Sequence, residues 1–99
     1  MFNTTTTTIN GSPFEMVIRY ASFNQPDNAT QIIRRHLFEI NARQFGSIDE
    51  FGVELWAFEN RVFIVHTVDG FCRLFTAEFE TLSQAIAEIE SFCQTNFSI

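Results

Sequence analysis

Phe51 to Phe79 read FGVELWAFENRVFIVHTVDGFCRLFTAEF, and this stretch decides the fold. Asp69-Gly70 lies between two apolar runs. Asp-Gly at this spacing is a strong signal for a two-residue hairpin turn, because both residues tolerate a positive φ. The turn fixes a register that pairs Val68 with Phe71, His66 with Arg73, Ile64 with Phe75 and Val62 with Ala77.

A second turn is predicted at Glu59-Asn60, where only the asparagine tolerates the left-handed conformation well. A two-residue loop here pairs Phe58 with Arg61, Trp56 with Phe63 and Leu55 with Ile64. The whole stretch is therefore predicted to be a meander of three antiparallel strands.

Side chains alternate across a strand, so this register sorts the meander into two faces. The predicted core face carries Phe51, Val53, Leu55, Ala57, Val62, Ile64, His66, Val68, Phe71, Arg73, Phe75, Ala77 and Phe79. The opposite face is polar at its margins and aromatic in its middle, around Trp56, Phe58 and Phe63. We expect this aromatic face, with Arg61 at its rim, to be exposed and to bind a partner, because Trp and Arg dominate interface energetics.

The flanking segments add one strand and two helices. Phe14 to Phe23 alternates as a strand does, and it should join an edge of the sheet. Asn28 is a candidate N-cap for a first helix with Gly46 as its C′ residue, and Thr81 with Gln84 forms a capping box that begins a second helix. The predicted fold is a single α+β domain, residues 13–99, of order β-α-β-β-β-α, with an antiparallel sheet and both helices packed on its core face. Residues 1–12, which contain five consecutive threonines, are predicted to be a flexible tail.

The 99 residues carry 12 acids against 6 bases, all of them arginine, for a formal net charge of −6. The charge is uneven, since nine of the acids and only two of the arginines lie between Gly46 and Ile99. An acidic surface of this kind argues against direct binding to nucleic acid or to an anionic membrane. The sequence has neither an N-terminal secretory pattern nor an apolar run of about 20 residues, so we expect a cytoplasmic protein with no membrane contact.

Catalytic chemistry has few candidates in the sequence. Cys72 and Cys93 lack the spacing of a zinc site, and we expect both to be reduced and buried. His66 is predicted to lie opposite Arg73, which would lower its basicity. No glycine-rich phosphate loop is present. The sequence therefore predicts a protein that is not an enzyme and that uses neither cofactor nor metal.

These features favour a non-enzymatic binding protein, an inhibitor or decoy that occupies the basic, nucleic-acid-binding surface of a protein partner. Its size and charge are similar to those of small acidic phage proteins that block CRISPR or restriction nucleases, a similarity of composition rather than of motif. The carboxylates expected to imitate phosphates are Glu54, Glu59, Asp69, Glu78, Glu80, Glu88 and Glu90.

Two alternatives remain open. The chain could be a homodimer or a larger structural or adaptor assembly that packs Trp56, Phe58 and Phe63 against a second copy, in which case Trp56→Ala should yield monomers. It could also bind nucleic acid through Arg34, Arg35 and Arg43, which the net charge disfavours.

Overall fold

A computed structural model describes residues 7–8, 13–21, 26–68 and 71–97. Its elements are β1 (Thr7–Thr8), β2 (Glu15–Ala21), α1 (Pro26–Glu39), β3 (Arg43–Ile48), a 3₁₀ turn (Asp49–Phe51), β4 (Val53–Phe58), β5 (Arg61–Val68), β6 (Phe71–Glu78) and α2 (Leu82–Phe97). The strands form one antiparallel sheet in the order β1-β2-β6-β5-β4-β3. The prediction of a single α+β domain with an antiparallel sheet is confirmed.

The meander has the predicted register. His66 lies opposite Arg73 and Trp56 opposite Phe63. The Asp69-Gly70 turn lies outside the described residues, but the strands on either side of it pair as a two-residue loop requires. At the other turn the left-handed residue is Glu59, with a φ of 53°, rather than its asparagine neighbour.

The strand predicted from Phe14 to Phe23 is β2, which pairs with β6 and has a register shift between Met16 and Ile18. β1 pairs with the outer side of β2. Thr7 and Thr8, within the predicted flexible tail, thus belong to the sheet, and the rest of residues 1–12 lies outside the described chain.

β3 was not predicted, because Gly46 was assigned to the end of the first helix. The helix ends earlier, at Glu39, and Asn41 closes its C-terminus with a φ of 71°, in the left-handed region. The backbone N–H of Ala42 donates to Leu37 O at 2.9 Å, and that of Asn41 donates to Phe38 O at 3.0 Å. These two bonds form a Schellman motif, in which asparagine takes the place of the usual glycine. The chain then turns directly into β3, where Gly46 pairs with Leu55.

The helices lie on opposite faces of the sheet, which corrects the expectation that both cover one face. α1 packs Ala29, Ile33 and Leu37 on the face that carries Trp56, Phe63, Val65 and Leu74. α2 packs Ala85, Ile89 and Phe92 on the face that carries Val53, Ile64 and Phe75. The physical reason is that both faces of the meander are apolar. Each large side chain that is buried contributes roughly 1.5–3 kcal/mol, so leaving either face open is costly.

α2 begins as its sequence predicts. The Thr81 hydroxyl accepts a hydrogen bond from the backbone N–H of Gln84 at 3.2 Å, which satisfies one of the free donors at the helix start. Neither described helix is long and apolar enough to cross a membrane.

Candidate protein-binding surfaces

The aromatic face of the meander is covered by α1. Trp56 is 7% exposed and Phe63 is 6% exposed, in one cluster with Ile33 and Leu37. Phe58 and Arg61 remain at the margin, where Phe58 is exposed and Arg61 is half-buried. The expected open patch is therefore corrected, because its central residues form the core beneath α1 and cannot contact a partner.

Glu54 lies at the edge of this covered face and anchors α1 to the sheet. Arg34 Nε donates to the two carboxylate oxygens of Glu54 at 3.1 and 2.9 Å, and Arg34 Nη2 forms an ion pair with the same carboxylate. Trp56 Nε1 donates to Glu54 Oε1 at 3.1 Å. Burial raises the pKa of Glu54, but the hydrogen bonds from Arg34 and Trp56 outweigh it and leave the pKa below its ordinary value. Glu54 is thus an ionised carboxylate whose charge is balanced by Arg34. Its assignment to an open acidic surface is corrected.

Glu78 is also paired, but it stays exposed. Arg61 Nη2 forms an ion pair with Glu78 Oε1 across β5 and β6, and Arg61 Nη1 donates to Thr76 Oγ1 at 3.1 Å. An exposed pair of this kind contributes at most about 1 kcal/mol and is weakened by salt. The Glu78 carboxylate therefore remains accessible at the sheet margin with part of its charge compensated.

The other predicted acids face solvent. Glu59 and Glu80 line one small cleft of about 60 Å³ at the end of the sheet where α2 begins. Glu88 and Glu90 are exposed along α2, a helix that contains no basic residue. Among the described residues, none of these four carboxylates forms an ion pair. Asp69 lies outside the described chain.

Most of the described arginines contact groups of the protein itself. Arg43 donates to the backbone oxygens of Phe38, at 3.3 Å, and Ala42, at 2.8 Å, and its guanidinium lies 4.2 Å from the centre of the Phe38 ring. Arg73 Nη2 lies 2.8 Å from His66 Nδ1. Arg35 on α1 is exposed. Because most of these arginines contact groups of the protein itself and the acids face solvent, the surface around α2 is negative.

His66 is buried on the α2 face and is not a general base. Burial, helped by the neighbouring Arg73 charge, lowers its pKa from 6.5 to about 4. Because arginine can only donate, Nδ1 of His66 accepts this hydrogen bond, and the neutral ring carries its proton on Nε2. The imidazole therefore serves as the acceptor for Nη2 of Arg73.

A polar cleft of about 520 Å³ lies between α1, β3 and the 3₁₀ turn. Its lining residues are Thr30, Gln31, Arg34, Gln44, Ser47, Asp49, Gly52, Val53, Glu54 and Thr67. The Ser47 hydroxyl donates to Asp49 Oδ1 at 3.3 Å, and the hydroxyls of Thr30 and Thr67 are 3.1 Å apart. No imidazole or cysteine lines the cleft among the described residues, so it lacks a nucleophile activated by a base.

No group of three or more histidine, cysteine, aspartate and glutamate side chains within the described chain is placed to hold a metal ion. Comparison with protein-family models, with curated proteins and with solved structures found no match.

An exposed apolar strip lies on the α2 face and was not predicted. Leu82 is 58% exposed and Ile86, one turn further along, is 44% exposed, although the helical periodicity assigns both to the buried stripe. Leu82 shares the cleft at the start of α2 with Ala57 of β4. We define the apolar strip as Leu82 and Ile86 of α2 with the half-buried Ile48, Leu55 and Ala57 of the sheet. A correct prediction of β3 would have revealed this strip, because the extra strand makes the sheet wider than one helix can cover.

Proposed function

We propose that the protein is a non-enzymatic binding protein whose acidic surface occupies a basic, nucleic-acid-binding surface of a protein partner, as an inhibitor or decoy. The observation that supports this most directly is the separation of charges. Glu59, Glu80, Glu88 and Glu90 face solvent without ion pairs among the described residues, whereas Arg34 and Arg61 are held in internal pairs.

The acidic surface consists of two parts. Glu59, Glu78 and Glu80 lie around the β4–β5 turn and the end of β6, and Glu88 and Glu90 continue along α2. The helix and the tight turn fix the backbone positions of these carboxylates, so binding to cationic side chains orders only the glutamate side chains and not the backbone. Such complementarity mainly accelerates association and excludes partners of the same charge.

A pull-down with a pair of charge variants tests the proposal. Glu88→Gln with Glu90→Gln removes two charges from α2, and Glu15→Gln with Glu39→Gln removes the same charge from β2 and α1. The wild type and both variants are immobilised and exposed to a cell lysate. The captured proteins are then challenged with salt and with duplex DNA.

We expect the wild type and the Glu15/Glu39 variant to retain a common partner that duplex DNA displaces and that the Glu88/Glu90 variant fails to retain. Since exposed charges are screened within about 10 Å at 0.1 M salt, retention should also fall as salt rises. Equal retention by the two variants, or a partner that DNA does not displace, contradicts the proposal.

A further inference from the structure

We infer that the outer edge of β3 pairs with β3 of a second copy of this chain, giving an antiparallel, twofold-symmetric dimer in which one sheet continues into the other. This surface is separate from the acidic surface of α2 and from the covered aromatic face. It goes beyond the proposed decoy function and does not depend on it.

The first observation is the open edge. β3 ends the sheet order, and no described strand pairs with its outer side. Arg43, Gln44, Phe45 and Ser47 are exposed, so within the described part of the chain the strand is uncovered. An edge strand of this length presents a row of free N–H and C=O groups that a second strand can satisfy. At the opposite edge of the sheet, by contrast, the described part of β1 comprises two residues.

The second observation identifies the occupant. β3 begins with a cation, Arg43, and is followed directly by two exposed acids, Asp49 and Glu50. In an antiparallel pair of identical strands the start of one lies beside the end of the other. Self-pairing therefore places each Arg43 near the acids of the second copy, twice by symmetry, which is charge complementarity of the chain with itself.

The register follows from the symmetry of the pair. A twofold axis that relates two antiparallel strands is perpendicular to the sheet, and it passes through a residue that faces its own counterpart. With Gly46 at the axis, Phe45 of each copy lies opposite Ser47 of the other, and Arg43 lies opposite Asp49. Phe45 is 42% exposed at the bulge where β3 shifts against β4, so its ring can pack against the second copy, and Gly46 brings no side chain to the axis.

The apolar strip supplies contact area beside this edge. Leu82 shares a cleft with Ala57 of β4, the strand that neighbours β3, and Ile86 is exposed one turn further along α2. A stable interface buries roughly 800 Å² on each partner, which strand pairing alone seldom provides. The strip and the backbone hydrogen bonds supply affinity, and the Arg43 pairs fix orientation.

A charge-swap experiment tests the dimer with the full chain in isolation. Arg43→Glu places acids against acids, and Asp49→Arg with Glu50→Arg places bases against a base, so each variant alone should dissociate. In an equimolar mixture the introduced carboxylate faces the introduced arginines, and the native groups face each other. The mixture should therefore form a heterodimer. Matched controls are Arg35→Glu and Glu88→Arg, which change the charge on exposed parts of α1 and α2 away from β3 and from the apolar strip.

Sedimentation velocity over a dilution series, with circular dichroism to confirm folding, gives the outcome. We expect a wild-type dimer, control variants with unchanged dissociation constants, at least about a tenfold weaker dimer for each swapped variant, and recovery on mixing. A wild type that is monomeric at every concentration overturns the inference. So do dimers that survive both swaps, and folded variants whose mixture stays monomeric. These readings involve no partner protein, so they are independent of the pull-down above.

Discussion

The ring of Phe97 lies stacked on the imidazole of His66, with 3.9 Å between the ring centroids and 11° between the planes. Burial of His66, together with the charge of Arg73, whose Nη2 lies 2.8 Å from His66 Nδ1, lowers the pKa of the imidazole from 6.5 to about 4 and keeps the ring neutral. The unfolded chain therefore binds more protons than the folded chain between these two pH values, and stability is lost as the pH falls through this window. We expect a loss on the order of 3 kcal/mol, measured by urea denaturation between pH 7 and pH 4.

His66→Gln is the control for this prediction, because its amide oxygen can still accept from Arg73 but cannot titrate. Its free energy of unfolding should change less than that of the wild type between pH 6.5 and pH 4. Parallel pH profiles for the two proteins would show that His66 is not the titrating group.

The left-handed residue that ends α1 gives a second prediction. Asn41→Val should destabilise the fold by about 1–2 kcal/mol, since a β-branched side chain is strained at a φ of 71°. Asn41→Gly should stay within about 0.5 kcal/mol of the wild type, because glycine adopts this conformation freely. The urea midpoints of the two variants measure these changes in stability. Equal losses of stability would contradict a role for the backbone angle of Asn41.

Gly52 gives a third prediction. It has a φ of 66°, and a Cβ placed there would lie 2.8 Å from the backbone oxygen of Thr67, whose N–H donates to Gly52 O at 3.0 Å. Gly52→Ala should therefore cost about 2–3 kcal/mol in thermal or urea unfolding. Gly46→Ala is the matched control, because its Cβ would meet only Leu55 Cδ1 at an ordinary 3.7 Å. Both are compared in dilute samples, since stability of a dimer depends on concentration.

The bond between Arg34 and Glu54 gives a fourth prediction. We expect a double-mutant cycle with Arg34→Met and Glu54→Gln to give a coupling energy of about 1 kcal/mol. This value is near the upper end of the range for exposed ion pairs, because the Glu54 side chain is largely buried although the Arg34 guanidinium is partly in solvent. A coupling of zero would mean that α1 is held by its apolar side chains alone.

The two cysteines test the placement of the helices. Cys72 lies in the α1 cluster and Cys93 in the α2 cluster, on opposite faces, and both are free and buried. Burial raises the pKa of Cys93 to about 11, so little thiolate forms near neutral pH. A thiol reagent should react slowly with both in the native protein and fully in urea, whereas rapid native reaction of either thiol would show that its face is open.

The sequence predicted the meander well because turn chemistry and side-chain alternation are local. Asp69-Gly70 and the paired apolar runs leave one register in which both faces are consistent. β3 was missed because RQFGSI has weak alternation and an internal glycine, and because the real stop signal, Asn41, resembles any other polar residue on the helix.

The position of α1 could not be derived from its own apolar stripe, because either sheet face would accept it. The sheet determines which face α1 covers, because four consecutive residues of β5 are buried: Val62, Phe63, Ile64 and Val65. A strand that is covered on one side only should alternate, and a continuous apolar run indicates cover on both. For the same reason the aromatic face was wrongly taken for a binding surface, whereas the exposed acids on α2 could be identified from periodicity.

That uninterrupted run in β5 has a consequence for how the chain behaves when it is not folded. The segment from Val62 to Val65 combines high β propensity with a lack of charge, which is the composition of segments that stack into amyloid. Its two flanking residues, Arg61 and His66, are the polar groups that oppose such stacking. In the native sheet β4 and β6 occupy both of its edges and the helices both of its faces. A substitution that detaches one helix would thus do more than lower stability, because it would expose a segment with the composition of fibril-forming sequences.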